Sequence, residues 1–404
     1  MKGPMQSKKK FMTLTTMHLK NKKVLVRVDF NVPMDENGNI TDDSRIKASL
    51  PTIKYILESG ASCILISHLG RPGGRFVPSL SLAPIARHLA TLLGTEVGMA
   101  PPEYGSRAKK MTDRLRPGEL LLLENVRFNP GEEHPENHPE FIDFLADLGD
   151  IYINDAFATL HRNHASTTYV PKRYKIKGAG FLVEKEVLVL ENLLGQAESP
   201  FYAIIGGAKV STKIGILESL LHRIDGLVIT GGMAFTFLFA LGYKVGNSLV
   251  DHDHIDTAKS LMKKCRSKGI AFHLPEDIVI TQTLSEGAET ALVSIKEGID
   301  QGYIGADIGP RTIAELQEIL KKAKTIFWNG PFGVFELAPF QNGTRAMAQY
   351  LSECSAMTIV GGGDTALAAH LTPKYQKFTH ISTGGGATLE FIEKGTLPGL
   401  DNLL

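Results

Sequence analysis

The chain has 404 residues, 43% of them apolar and 22% charged, a globular profile with room for two to three domains. Lys and Arg number 44 against 43 Asp and Glu, for a net charge of +1, so no overall basic excess points to nucleic acid or an anionic membrane. Three scattered cysteines, Cys63, Cys265 and Cys354, lack metal-type spacing and fit a reducing, cytoplasmic setting.

The first 28 residues carry Lys and Arg but no Asp or Glu, a faint likeness to a transit peptide. Arg is nearly absent there and no apolar signal-peptide core occurs, which argues against an organelle address. Residues 1 to about 12 read as a poorly ordered extension. From there the first half repeats one grammar of apolar strand, polar loop and amphipathic helix. Strand KVLVRVDF precedes a loop over residues 31–44 and the helix RIKASLPTIKYILESG. Strand CILISH leads through 69–74 to the helix LAPIARHLATLLG, and a short strand lies near Val97. GELLLLENVRF reads as a buried strand, PEFIDFLADLG as a helix, and DIYINDAFATLHR as a strand with a long exit loop. Strands alternating with helices predict βαβ units, hence a parallel sheet covered on both faces.

Polar residues cluster at the carboxyl ends of these strands: Asp29 and Asn31, His68 and Arg71, Asn125 and Arg127, then Asn154, Asp155, His161 and Arg162. Ligands of open α/β sheets bind outside such ends. One Arg at a strand exit reads as solvated surface. Three Arg with His and Asn at successive exits suggest a pocket for a small anion, with guanidinium forks suited to phosphate or carboxylate. Residues 165–183 break the rhythm, and residues 184–196 read as a helix connecting two lobes.

The second half keeps the grammar but marks its strand exits with glycine. FYAII ends in Gly206-Gly207, GLVIT in Gly231-Gly232, and KTIFW in the run from Asn329 to Gly333. MTIV ends in Gly361-Gly362-Gly363-Asp364-Thr365, and HIST in Gly384-Gly385-Gly386. Such exits suit close approach to backbone, as a nucleotide requires. The 18 uncharged residues 226–243 are split by Gly231-Gly232 and form a βα unit, not a membrane span. After Gly206-Gly207, Ile214, Leu217, Leu221 and Ile224 recur at helical spacing; Lys209 and Lys213, four apart, would share a helix face and reach one anion. A tight turn with two solvated lysines is the competing reading. Asp364 could hold Mg²⁺ directly or through water, and Glu336 could take ribose hydroxyls or face solvent. An Arg/His/Asn lobe beside a Gly/Lys/Asp lobe is the layout of a two-substrate phosphoryl-transfer enzyme.

Nine ordered blocks carry a resemblance to the phosphoglycerate kinase family over residues from about 19 to the end. They are VLVRVDFNVP, SHLGRP, LLLENVRF, NDAF with HR and HAST, GGAKVSTKI, GGMAFTFL, WNGPFGVFE, GGGDTA and STGGGA. The resemblance implies an α/β protein of two doubly wound parallel-sheet, Rossmann-like domains joined by a connector helix and hinge. Residues 1–183, with 395–404 returning to them, would bind the acid; 184–196 would connect; 197–394 would bind nucleotide. It implies conversion of 1,3-bisphosphoglycerate and MgADP to 3-phosphoglycerate and MgATP by a monomer, with small molecules as its partners and neither nucleic acid nor membrane. The acid would be held by Asp29, Asn31, Arg45, His68, Arg71, Arg127 and Arg162. Arg45, Lys209, Gly363 and Gly386 would act on the transferring group. Gly207, Lys209, Lys213, Gly231, Gly232, Asn329, Glu336, Gly361, Gly362, Gly363, Asp364 and Thr365 would bind nucleotide, with Asp364 on Mg²⁺.

The chain departs from the family pattern at Thr230, where a third glycine is usual, and at Ala158, Leu160 and Asn163. None of these removes a charged group. A nucleotide-dependent regulator on the same fold would have lost Arg45, Lys209 or Asp364, and all are present. A dinucleotide-dependent dehydrogenase would need G-x-G-x-x-G after a strand, and none occurs.

Overall fold

The computed structural model describes residues 11–404. Two compact units divide it: the chain up to Leu188 together with Thr396–Leu404, and Val189–Gly395. The leader lies outside the described residues except at its end, where Met12 belongs to a short strand.

The first unit holds strands β1 (Met12–Thr13), β2 (Lys23–Arg27), β3 (Ser62–Ile66), β4 (Gly98–Met99), β5 (Leu120–Leu122), β6 (Ile151–Asn154) and β7 (Lys177–Ala179). They pair in parallel throughout, in the order β1-β7-β6-β2-β3-β5-β4. Every residue of β3 and β6 is buried, as expected of parallel strands covered on both faces. Helices α1 (Ser44–Glu58), α2 (Ala83–Leu93), α3 (Ser106–Asp113) and α4 (Pro139–Ala146) follow the strands. Ile46, Ile53 and Ile56 of α1 and Ile85 and Leu89 of α2 pack with β2 and β3 in one core. Helix α1 carries Pro51 through its middle without ending there. Strand order reverses between β2 and β6, so the exits of those two strands flank a crevice.

Helix α5 (Phe181–Gly195) begins three residues before the expected connector. Its entry is set by Asp155, whose Oδ1 accepts the Leu182 N–H at 2.8 Å, and by Thr52 of α1, whose Oγ1 accepts the Phe181 N–H at 2.9 Å.

The second unit has a six-stranded parallel sheet and a three-stranded antiparallel one. Its strands are β8 (Phe201–Ile205), β9 (Gly226–Ile229), β10 (Ala271–His273), β11 (Asp277–Thr281), β12 (Ala291–Ser294), β13 (Ile304–Ile308), β14 (Thr325–Asn329), β15 (Met357–Val360) and β16 (His380–Ile381). The parallel sheet runs β10-β9-β8-β14-β15-β16, and the antiparallel sheet β12-β11-β13. Order reverses between β8 and β14, where Asn329 pairs with Ile205. Helices α6 (Ile214–Leu220), α7 (Ala234–Ala240), α8 (Ile255–Lys268), α9 (Pro310–Leu320), α10 (Asn342–Glu353), α11 (Gly363–Ala369) and α12 (Gly386–Lys394) complete the unit, and α13 (Pro398–Asp401) belongs to the first. Among the described residues no helix is long and apolar enough to cross a membrane.

The structure corrects several expectations. GELLLLENVRF shrinks to three strand residues and a 3-10 turn, Val126–Phe128, because Asn125 turns back to accept the Arg127 N–H. Lys209 and Lys213 do not share a helix face. Lys209 is extended, a 3-10 turn over Val210–Thr212 follows it, and α6 starts only at Ile214. The antiparallel strands β11–β13 and helix α3 were not expected at all.

Candidate active site

In the first unit the groups at the β2 and β6 exits meet around His68. Asp29, 6% exposed, pairs with Arg45 from the first turn of α1 and lies 3.7 Å from His68 Nδ1. Arg27, 1% exposed, donates through its guanidinium to His68 Nδ1 at 3.2 Å and to Ser166 Oγ at 2.8 Å. A guanidinium cannot accept, so Nδ1 is the acceptor and the imidazole proton sits on Nε2. Burial holds the His68 pKa well below its usual value, and Arg27, Arg127, Arg162 and Arg45 push it the same way. The ring is therefore neutral, and its nearness to Asp29 is no ion pair. His164 is likewise pushed down to about 3, by burial first and then by Arg127, Arg27 and Arg162.

Asn31 fixes the next loop by accepting the Gly70 N–H at 2.9 Å, and Arg127 donates to the Gly70 carbonyl at 2.7 Å. Arg127 Nε lies 3.2 Å from Glu133 without hydrogen-bond geometry, which leaves a buried donor open. Asn125 is consumed by the Leu69 and Leu80 carbonyls. Arg71 stands exposed on the loop after β3. Asp155, fully buried and engaged with α5, belongs to the scaffold.

In the second unit a cavity of about 360 Å³ opens at the β8/β14 crevice, lined by Gly207, Gly231, Gly232, Glu336 and Asp364 among others. Beside it Lys213 Nζ donates to Asn329 Oδ1 at 2.6 Å, and Asn329 Nδ2 donates to the Gly361 carbonyl at 2.6 Å. Thr365 Oγ1 accepts the Gly330 N–H at 2.7 Å. Burial lowers the Lys213 pKa while Asp364 partly restores it. Lys209 is exposed, Gly363 and Gly386 open α11 and α12, and Gly362 has a φ of 101° that favours glycine.

Two of the glycines answer to the protein's own backbone. A Cβ on Gly206 would come within 2.5 Å of the Pro331 carbonyl oxygen, and one on Gly330 within 2.3 Å of the Gly206 carbonyl carbon. The two strand exits can meet only because both residues lack side chains.

The phosphoglycerate kinase family profile matches residues 14–395. Phosphoglycerate kinases from Geobacter metallireducens and Chlamydia muridarum are each 50% identical, over 382 and 386 residues, covering 95% of this chain and 95% and 96% of theirs. The solved phosphoglycerate kinase of Coxiella burnetii superposes with a TM-score of 0.87 at 41% identity, covering 97% of this chain and 98% of that one. The chain belongs to the phosphoglycerate kinase family.

As a phosphoglycerate kinase it is a phosphotransferase with a carboxyl group as acceptor, interconverting 1,3-bisphosphoglycerate and ADP with 3-phosphoglycerate and ATP. The departures from the family pattern fit locally. Thr230 is buried and its hydroxyl donates to the Phe332 carbonyl at 3.4 Å; Leu160 is buried and its carbonyl accepts the Gly399 N–H at 2.8 Å. Sequence reasoning passed over Arg27, Glu132 and His164. Glu132, fully buried, accepts from Ser166 N–H and Oγ at 2.9 and 2.7 Å, beside the Arg27–Ser166 bond. Arg27 had a signal: a charge inside an otherwise apolar parallel strand must find buried partners.

Among the described residues no group of three or more His, Cys, Asp or Glu is placed to hold a metal ion. Asp364 is exposed in the first turn of α11, lines the cavity, and has no hydrogen-bond partner among the described residues. An exposed carboxylate at the edge of this cavity fits Mg²⁺, which takes one or two carboxylates and completes its shell with substrate phosphates and water.

Proposed function

We propose that the family's reaction is carried out here with the acid substrate at the crevice of the first unit and the nucleotide in the cavity of the second. The cluster of Arg27 on His68 Nδ1 and of the Arg45–Asp29 pair beside the same ring carries this reading, and Arg127 and Arg162 add their positive field to it. Arg71, Arg127 and Arg162 bind the substrate's non-transferring phosphate and carboxyl oxygens, and His68 donates its Nε2–H. Asp29 cannot accept from a phosphate oxygen, so it takes the substrate hydroxyl and aims Arg45, while Asn31 holds the loop. In the second unit Lys213, Asn329 and Thr365 hold the nucleotide phosphates, Glu336 the ribose, and Gly207, Gly231, Gly232, Gly361 and Gly362 let the nucleotide approach backbone. Asp364 would hold Mg²⁺, which neutralises phosphate charge when bound.

The acyl phosphate is already activated and the terminal ADP oxygen is already anionic, so no general base is required. The bond from phosphorus to the acyl oxygen breaks, that oxygen leaves as a carboxylate, and a bond to the β-phosphate oxygen of ADP forms. Arg45 and Lys209 neutralise the group in flight, aided by N–H groups at Gly363 and Gly386. These groups come from both units, so transfer requires closure about α5 and its flanks. Closure also expels water that would hydrolyse the acyl phosphate. A single chain supplies every group, which fits a monomer, and three free cysteines fit the cytoplasm. A coupled assay for Mg²⁺- and ATP-dependent phosphorylation of 3-phosphoglycerate tests the reading, and no turnover with both substrates saturating overturns it.

A further inference from the structure

Asp307, in β13, lines the nucleotide cavity and is 3% exposed, yet no step above uses it. Among the described residues it has no ion pair. Its Oδ2 accepts the Gly343 N–H at 2.6 Å, from the second residue of α10, and Oδ1 accepts the Ile308 N–H at 2.9 Å. The carboxylate is wedged between helix and loop. A Cβ on Gly343 would come within 2.4 Å of Oδ1, and one on Gly333 within 2.3 Å.

The loop it touches, residues 331–334, forms one wall of the cavity. That wall hangs from two supports. Thr344 of α10, fully buried, accepts the Phe332 and Gly333 N–H groups on its Oγ1 at 3.1 and 3.2 Å. The Ala306 carbonyl of β13 accepts the Val334 N–H at 2.8 Å. The Asp307–Gly343 bond ties the two supports together, so helix, strand and wall form a closed triangle. Burial pushes the Asp307 pKa up to about 7, against the pull of the Gly343 and Ile308 N–H groups. An unpaired buried carboxylate is costly where a neutral side chain would fill the space.

We propose that Asp307 is a positioning residue for the nucleotide: through α10 it sets the wall against which the nucleotide binds, without touching the reacting atoms. The proposal rests on reading that cavity as the nucleotide site. The test is Asp307→Asn, with KM measured separately for MgATP and 3-phosphoglycerate and folding followed by fluorescence of the buried Trp328. Asn keeps an acceptor for Ile308 but turns an amide donor or a neutral acceptor toward Gly343. The expected result at pH 8, above the Asp307 pKa, is a rise of roughly tenfold in KM for MgATP, the scale of one charge-assisted hydrogen bond, with KM for 3-phosphoglycerate unchanged. A variant that is only easier to unfold, with KM for MgATP unmoved, overturns the proposal. If Asp307→Asn does not fold, Thr344→Val opens the triangle at another corner, and an unmoved KM for MgATP there also overturns it. Calorimetry of wild-type protein with MgADP separates the two levels. No binding counts against the cavity reading itself, whereas normal binding with unresponsive variants removes Asp307 alone.

Discussion

Asp155→Asn should change how stability depends on pH. The Asp155 side chain is fully buried at the end of β6, with Oδ1 at the start of α5 and Oδ2 without a hydrogen-bond partner. Burial pushes its pKa from 3.8 up to about 7, opposed by the Thr52 hydroxyl and the Leu182 and Val183 N–H groups. As pH rises between those values the unfolded chain ionises while the folded chain keeps its proton. Stability is therefore fully present below the unfolded pKa, falls as pH rises, and levels off above about 7. About three pH units at 1.36 kcal/mol each make this cost about 4 kcal/mol at pH 8. Asn cannot ionise, so it escapes the cost. It still accepts from Leu182 but puts an amide where Oδ2 has no partner, a loss of about 1–3 kcal/mol. The variant should be about 1–3 kcal/mol more stable than wild type at pH 8, with the advantage gone near pH 5. Urea unfolding followed by far-UV circular dichroism across this range measures it, and fluorescence of Trp328 separates the transition of the second unit. Parallel pH curves for the two proteins would refute the claim that this carboxyl group holds a proton near neutrality.

Arg45→Ala should lower kcat far more than it weakens nucleotide binding if Arg45, held by Asp29 in the first unit, acts on the transferring group as proposed. Charge clamps of this kind are worth on the order of 10³–10⁵ in rate, and a variant keeping more than about a tenth of kcat in steady-state assays would sink the role. Asp364→Asn should weaken MgADP and move the Mg²⁺ optimum upward in a titration; an unchanged optimum would leave Asp364 as a loop carboxylate. Each substrate alone should leave the radius of gyration close to that of the free protein, and both together should reduce it. Small-angle scattering that is identical in all states would refute closure.

Much of this protein was legible because parallel strands buried on both faces must be apolar runs. SCILI and FYAII announce themselves, and the polar or glycine residues that end such strands fall at the mouth of the sheet. Helix α3, SRAKKMTD, buries only Ala108 and Thr112, and β12 buries none of its residues, so neither leaves a periodic stripe. Lys209 and Lys213 have helical spacing, but spacing alone could not exclude the 3-10 turn between them. Arg27 reads as one residue of a strand, and its partners Ser166 and His68 lie 139 and 41 positions away. Asp29, Asp155, Asp307 and Asp364 share one side chain, yet one orients an arginine, two are buried carboxyl groups tying helix starts to strands, and one stands free at a cavity mouth. Periodicity is a local property that the chain carries in its order. The state of a charged group depends on desolvation and on partners far along the chain, and only the tertiary structure decides those.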